Sequence, residues 1–257
     1  GEVEKLKLSE LAAAAAAPAP PWDGLLSGPV RVEAVLHGRR PSVSALSGKL
    51  AVDPAGSGAP LRGNVEFTAH PDSGTIEFGN SYLAGLATEA RFAGQLDRQL
   101  SIEIVSRDYQ ELARAAAFAR MPLPQLGPAG LSYEAARFNG MLGGGLASPR
   151  ASGTVEAVNL SYDGHRLEKA AAECLFSETG LYIRHLSLQR GSARLEGDLR
   201  AELNRWRLEE GSSISGEITF KGLPLEELAA EGQPALPATG TLAGKFRLSG
   251  TRSRPEL

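Results

Sequence analysis

Apolar and polar residues alternate along most of the chain, and the stretch GSARLEGDLRAEL at 191–203 shows the pattern most clearly. Every second residue from Ala193 to Leu203 is apolar or glycine, whereas each residue between them is charged. Successive side chains of an extended strand point to opposite faces of a sheet, so this stretch predicts a strand with one apolar and one charged face. Because similar stretches recur, we predict that more than half of the residues lie in β-structure.

Short turn-forming links separate the predicted strands. The dipeptide Asp163-Gly164 favours a two-residue hairpin turn of type I′. Strands that follow one another through short links pair antiparallel, which predicts a mainly β protein with a long antiparallel sheet. Local composition adds a few short helices to this prediction, at 8–17, 107–120 and 223–231.

Two sequence markers repeat along the chain in the same order. One is a Gly-containing strand that ends in proline, at Pro41, Pro149 and Pro255, with spacings of 108 and 106 residues. The other is the tripeptide Glu-Leu-Ala, which occurs at 10–12, 111–113 and 227–229. The second marker is spaced more loosely than the first, but the recurrence of both in the same order indicates a repeat architecture.

The markers divide the chain into three parts. Residues 1–41 are predicted to be the end of a preceding repeat unit, with a short helix and a strand. Residues 42–149 form repeat unit one and residues 150–257 repeat unit two, and their strands are predicted to superpose. All three parts are expected to continue one β-sheet, and we expect the sequence to be a piece of a longer protein.

The apolar face of the predicted sheet is aliphatic and interspersed with glycine and alanine. A continuous apolar face must be covered, so the sheet either closes into a sandwich or barrel or curls into a trough that holds another molecule. The residues predicted to line this face are Val32, Leu36, Leu50, Val65, Phe67, Leu195, Leu199, Leu203, Ile214, Ile218, Phe220, Leu242, Phe246 and Leu248.

Composition and charge argue against several classes of function. The 257 residues carry a net charge of -3 and contain no run of Lys and Arg, which argues against a nucleic-acid partner. The four histidines fall in separate strands and turns, without the spacing of metal ligands. We interpret Cys174 as a small core residue, and we predict no catalytic residue, metal or cofactor, so the protein is not expected to be an enzyme.

Two stretches resemble a known family. Residues 153–203, GTVEAVNLSYDGHRLEKAAAECLFSETGLYIRHLSLQRGSARLEGDLRAEL, are similar to the repeat of the TamB and AsmA-like envelope proteins. Residues 223–257, LPLEELAAEGQPALPATGTLAGKFRLSGTRSRPEL, resemble the last part of the same repeat, and residues 30–112 fit it more loosely. Alternation and glycine spacing carry this resemblance, without an invariant functional residue.

The resemblance implies a curled sheet, a repeating β-groove or β-taco, with a hydrophobic inner groove. It implies a periplasmic segment of an inner-membrane-anchored protein from a Gram-negative bacterium. Such a protein would carry phospholipid by its acyl chains between the inner and outer membranes, in outer-membrane biogenesis. An Omp85-class outer-membrane barrel would be its partner in a translocation and assembly module, through regions outside this sequence.

Two alternatives to lipid transport stay open at this point. One is a chaperone-like platform that supports the assembly of autotransporters and outer-membrane barrels by β-augmentation. The other is a purely structural stalk of β-repeats. Lipid transport predicts an open apolar groove, the platform predicts an unpaired edge strand, and the stalk predicts a closed and fully packed core.

Overall fold

The computed structural model confirms that the protein is mainly β. Strands contain 71% of the residues, and neighbouring strands pair antiparallel within each of two compact units. Two short helices occur among the described residues. The structure describes residues 1–14, 19–37, 40–56, 58–96, 98–118, 130–144, 148–224 and 239–256.

The first of two compact units comprises residues 1–123 and 138–150. Strands β1 to β7 of this unit pair in chain order, each with the next. The elements are β1 (Glu2–Lys7), α1 (Leu8–Ala14), β2 (Gly24–His37), β3 (Arg40–Pro54), β4 (Arg62–His70), β5 (Thr75–Ala84), β6 (Thr88–Gln95), β7 (Gln99–Ser106) and α2 (Tyr109–Phe118).

The second compact unit comprises residues 124–137 and 151–257. Its strands β10 to β16 again pair in chain order, and the short β8 pairs with β10. The strands that follow α2 in the chain are β8 (Leu131–Ser132), β9 (Ala135–Gly143), β10 (Arg150–Tyr162), β11 (His165–Ser177), β12 (Gly180–Arg190), β13 (Ala193–Glu202), β14 (Ile214–Pro224), β15 (Thr241–Thr251) and β16 (Arg254–Glu256). Of these, β9 belongs to the first unit from Phe138 onward.

Two of the three predicted helices are confirmed. Helix α1 lies inside the predicted range 8–17, and α2 lies inside 107–120. The Asp108 side chain caps α2 by accepting a hydrogen bond of 2.8 Å from the backbone N–H of Gln110. The third prediction is wrong at its start, because Leu223 and Pro224 extend β14, and the rest of 223–231 lies outside the described residues.

The turn prediction at Asp163-Gly164 is also confirmed. Both residues have positive φ, 49° and 79°, as a type I′ turn requires. They join β10 directly to β11.

Bulges bend the strands in both units. The pairing register shifts by one residue between Val3 and Leu6 of β1 and between Ile183 and Leu186 of β12. His185, in the second of these bulges, has a φ of 50°, and its N–H donates to the Asp198 carboxylate at 2.9 Å. Because a bulge increases the local twist and bends its strand, these positions are where β1 and β12 are expected to bend.

Helix α2 is fixed to the sheet by one buried carboxylate. Glu111 is only 5% exposed, and it accepts hydrogen bonds from the backbone N–H groups of Leu86 at 3.0 Å and Ala87 at 2.7 Å. A side chain at Gly85 would overlap this carboxylate. The Glu-Leu-Ala tripeptide at 111–113 therefore contains the glutamate that anchors α2 to the turn between β5 and β6.

The predicted division into repeat units stays a prediction. Five consecutive strands, β3 to β7, precede α2 in the first unit. Five consecutive strands, β10 to β14, precede residues 225–238, which lie outside the described residues.

Replacing Glu111 with alanine should destabilise the first unit. Two backbone N–H groups at the β5–β6 turn would lose a charged acceptor in a buried position, at a cost of about 2–4 kcal/mol. Urea unfolding followed by circular dichroism measures this cost. The exposed neighbour Gln110, changed to alanine, is the control and should alter the unfolding free energy by less than about 0.5 kcal/mol. Equal losses in the two variants would contradict the anchoring role of Glu111.

Candidate functional site

The candidate site is the apolar face of the sheet, and β13 shows how the sequence produces it. Burial alternates without interruption along this strand, so that residues such as Leu195 and Leu199 are half-buried while Arg194 and Arg200 are exposed. The alternation read from 191–203 is therefore confirmed over the length of β13.

In the second unit, strand pairing places the predicted lining residues on one face. Residues directly opposite each other in antiparallel strands have side chains on the same side of the sheet. The pairs are Leu195–Phe220, Leu199–Gly216, Ala201–Ile214, Gly197–Ile218, Ile218–Phe246, Gly216–Leu248 and Leu223–Leu242. The structure thus brings the eight predicted lining residues of β13, β14 and β15 together in a continuous apolar surface.

The first unit has the corresponding surface. Its pairs include Val32–Leu46, Gly48–Phe67 and Leu50–Val65, which place Val32, Leu50, Val65 and Phe67 on one face. The backbone of Leu36 pairs with that of Pro41, but the side chain of Leu36 lies outside the described part of the structure.

Leu203 is the predicted lining residue that does not lie in a strand. Strand β13 ends at Glu202, one residue earlier than the alternation predicts. The chain then turns tightly, with Asn204 and Arg207 exchanging backbone hydrogen bonds of 2.9 and 3.0 Å. Leu203 is half-buried, and its N–H donates to the carbonyl oxygen of Thr179 at 3.0 Å.

Glycines on the apolar face lie opposite large side chains. A Cβ atom at Gly244 would stand 2.7 Å from the ring of Phe220, its cross-strand partner. At Gly48 a Cβ atom would stand 3.0 Å from the ring of Phe67. The large side chain therefore extends over the strand that carries the glycine, which explains why glycines recur between aliphatic residues in the sequence.

Most of the apolar face is only half-buried. Among the predicted lining residues, Ile218 is 5% exposed, whereas Val32 is 59% and Leu242 is 37% exposed. The others whose side chains are described are half-buried. In the first unit, Leu50 and Val65 pack against the buried cluster of Leu26, Val52 and Leu61, so part of this face is a covered core. Since a face packed beneath a second layer would be buried, the described residues of the second unit leave most of its apolar face uncovered.

The opposite face is charged and internally paired. Glu217 of β14 contacts both Lys245 and Arg247 of β15, the latter at 3.2 Å, and Lys49 pairs with Glu66 at 2.9 Å. Hydrogen bonds from Lys245 and Arg247 hold the pKa of Glu217 below its usual value. The guanidinium of Arg200 lies 4.9 Å from the ring centre of Tyr182, in cation–π contact. This face is thus adapted to water.

Cys174 lies on the apolar face rather than at a reactive site. It pairs with Ile183, which in turn pairs with Leu199. Cys174 is half-buried, and burial raises the pKa of its thiol, which disfavours the reactive thiolate. A depression of about 610 Å³ crosses β12 to β15, and its lining combines apolar residues such as Ile183 and Leu199 with charged residues such as Arg200 and Glu217.

The described residues contain no group of three or more His, Cys, Asp or Glu side chains that could hold a metal ion. His185 instead pairs with Glu173 at 3.3 Å on the surface. Among the described helices, none is long and apolar enough to cross a bilayer.

Sequence reasoning missed a polar cluster at one end of the first unit. Thr88 and Ser106 share a hydrogen bond of 2.9 Å, and Ser106 is fully buried. Glu111 lies nearby on α2 and binds the β5–β6 turn. In the sequence, the repeated Glu-Leu-Ala tripeptide is the feature that points to Glu111. The backbone groups that Glu111 binds cannot be identified without the fold.

Replacing Gly244 with alanine should destabilise the second unit because the new Cβ would overlap the Phe220 ring. We expect a loss of about 1–2 kcal/mol in the native background and a smaller loss in the Phe220→Leu background. Urea unfolding of the four proteins in this double-mutant cycle should give a coupling of about 0.5–2 kcal/mol. Gly211, which has no atom near its Cβ position, is the control for alanine substitution. A coupling near zero would contradict the proposed packing.

The Glu217 ion pairs should make stability depend on pH. A carboxylate whose pKa is lowered by folding stabilises the protein above its unfolded pKa, and this contribution is lost as the pH falls through the folded pKa. Glu217→Gln should therefore be less stable than the native protein at pH 7, and the difference should shrink as the pH falls below 4.5. Chemical unfolding of both proteins at several pH values measures the difference. A difference in unfolding free energy that stays constant down to pH 3 would contradict a stabilising role for the Glu217 ion pairs.

No family model, curated protein or solved structure matches the chain. Its resemblance to the TamB and AsmA-like repeats therefore stays a prediction from the sequence.

Proposed function

We propose that the apolar face is a groove lining that holds phospholipid acyl chains. The observation that carries this proposal is the half-burial of a continuous aliphatic surface on β13, β14 and β15 that the described residues of the second unit leave largely uncovered. An uncovered apolar surface of this extent marks a site that binds another apolar molecule. On this proposal the chain is a segment of an envelope protein that carries phospholipid between the inner and outer membranes and so supports outer-membrane biogenesis.

The side chains on this face suit acyl chains better than a directional ligand. Residues such as Leu199, Ile218 and Leu248 offer no hydrogen-bonding group, so they would bind any aliphatic chain in many equivalent positions. Burial of a CH₂ group is worth about 0.8 kcal/mol, so a chain of roughly 16 carbons could gain on the order of 10 kcal/mol. Headgroups would remain in water, where their charges need no partner from the protein.

The glycine–aromatic packing supports the same use. Because Phe220 extends over Gly244, the surface contains ring and aliphatic carbon where the backbone would otherwise be exposed. Exposed peptide groups would be costly beside a lipid tail, since they would lose their hydrogen bonds to water. Paired strands and covered glycines together reduce the amount of polar backbone that this lining exposes.

The stalk alternative is less well supported by the burial pattern. A closed structural core would bury the middle residues of every strand, yet Leu195, Leu199 and Phe246 are only half-buried. Ile218 is the one predicted lining residue among the described side chains that reaches full burial.

The periplasmic location and the partner rest on the resemblance at 153–203 and 223–257. By that resemblance, an inner-membrane anchor and a surface for an Omp85-class barrel belong to other parts of the parent protein. The apolar face supplies the part of the function that this chain can perform alone, which is to hold acyl chains.

A single charge on the apolar face tests the proposal. Leu199→Asp should leave the fold largely intact, because a half-buried carboxylate at an open groove keeps water, while the amount of bound phospholipid falls severalfold. Native mass spectrometry of the purified protein counts the phospholipid molecules that remain bound. Leu199 is preferred to Ile218, whose burial would make a charge destabilising in any case.

Ser215→Asp is the matched control. It adds the same charge on the opposite face, where Ser215 is exposed and pairs with Arg200. We expect this variant to retain native lipid occupancy. If the native protein carries no lipid, and Leu199→Asp unfolds it at a cost of several kcal/mol, the face is a packed core and the lipid proposal fails.

A further inference from the structure

The second unit contains a strained turn in the link between β13 and β14. Arg205 and Trp206 are the two central residues of this turn, and both have positive φ, 48° and 70°. Asn204 and Arg207 close it by exchanging backbone hydrogen bonds of 2.9 and 3.0 Å. Glycine, asparagine and aspartate usually occupy such positions, because a bulky side chain is costly there. Strained positions of this kind concentrate at binding sites.

The turn places the ring of Trp206 at one end of the apolar face. The ring centre lies 4.6 Å from that of Phe176, with an angle of 65° between the two ring planes. Phe176 pairs with Leu181, and Leu181 pairs with Ala201. Ala201 in turn pairs with Ile214, which is a predicted lining residue. Because residues directly opposite each other share a face, Trp206 contacts the apolar side of the sheet.

The backbone of Trp206 is fixed, whereas its indole N–H is available to a ligand. The backbone N–H donates to the carbonyl oxygen of Glu178 at 3.0 Å, which holds the residue against the turn between β11 and β12. The indole N–H has no acceptor among the described residues, and its nitrogen is not fully buried. Trp206 as a whole is half-buried. An indole with a packed ring and a free donor suits a boundary between apolar groups and water.

Charges of both signs border this end of the apolar face. Between positions 202 and 210 the charged residues, all exposed, are Glu202, Arg205, Arg207, Glu209 and Glu210. Glu209 accepts a hydrogen bond of 2.9 Å from the side chain of Asn204, and Arg252 donates to the carbonyl oxygen of Leu208 at 2.6 Å. Because carboxylates and guanidinium groups are both present, these charges mark the border with water and do not select the charge of a ligand.

We propose that Trp206 binds the end of a phospholipid that lies next to the headgroup. This inference rests on the proposed function and adds the orientation of the bound molecule. The ring contacts the first acyl carbons, and the indole N–H donates to an ester oxygen at the border with water. The acyl chains then extend along the apolar face from Ile214 towards Ile218 and Phe220, away from the charged turn.

Fluorescence of a single tryptophan tests this orientation. The chain contains two tryptophans, so Trp22→Phe leaves Trp206 as the only one. This protein is loaded with phosphatidylcholine that carries bromine either near the headgroup or near the methyl end of the acyl chain, and the complex is isolated by gel filtration. We expect bromine near the headgroup to quench Trp206 severalfold more strongly than bromine near the methyl end.

Native mass spectrometry of the same complexes separates the two ways in which this test can fail. If phospholipid is bound, but the two bromine positions quench equally, or the methyl end quenches more, or neither quenches, the orientation is overturned while lipid binding stands. If the protein binds no phospholipid, the proposed function and the role of Trp206 are both overturned.

Trp206→Phe tests the hydrogen-bond donor. This variant keeps an aromatic ring against Phe176 but removes the indole N–H, so its affinity for short-chain phosphatidylcholine should fall about fivefold. Isothermal titration below the micelle concentration measures the affinity. Trp22→Phe is the matched control, because Trp22 belongs to the first unit and packs against Phe118, and it should keep native affinity. Equal affinities in the two variants would overturn the role of the indole N–H.

Discussion

The structure depends above all on the antiparallel register between neighbouring strands. Register decides which side chains share a face, and a slip of one residue would exchange the two faces of a strand. The pairs Leu199–Gly216 and Gly216–Leu248 show this constraint over three strands. The same register places Glu217 against Arg247 on the other face. Apolar lining and charged surface are therefore two consequences of one pairing pattern.

The places where glycines occur in the strands are determined by this register as much as by the backbone conformations that glycine can adopt. Gly244 has Phe220 directly opposite, and Gly48 has Phe67, so each glycine leaves room for a large side chain on the adjacent strand. This packing covers the backbone of the glycine-containing strand with ring carbon. An aliphatic and largely uncovered surface is what an acyl-chain groove requires, and it is poorly suited to a self-contained structural core.

Local sequence accounts for the elements and leaves their long-range connections open. Alternation predicted β13 and its two faces, and Asp163-Gly164 predicted a hairpin turn, because these features depend on adjacent residues alone. The end of β13 before Leu203 was not predicted, since the turn that follows places residues in uncommon backbone conformations. Glu111 was visible as part of a repeat, but its two hydrogen-bond donors lie 24 and 25 residues away.

The central claim is that acyl chains contact one face of the sheet, and the native Cys174 allows that contact to be measured. A fluorophore attached to Cys174, which pairs with Ile183 on the apolar face, would report on phospholipids that carry a nitroxide quencher on the acyl chain. A second protein, with Cys174→Ser and Ser215→Cys, places the fluorophore on the charged face. We expect strong quenching at Cys174 and little at position 215. Equal quenching at both positions, or none at Cys174, would contradict the account.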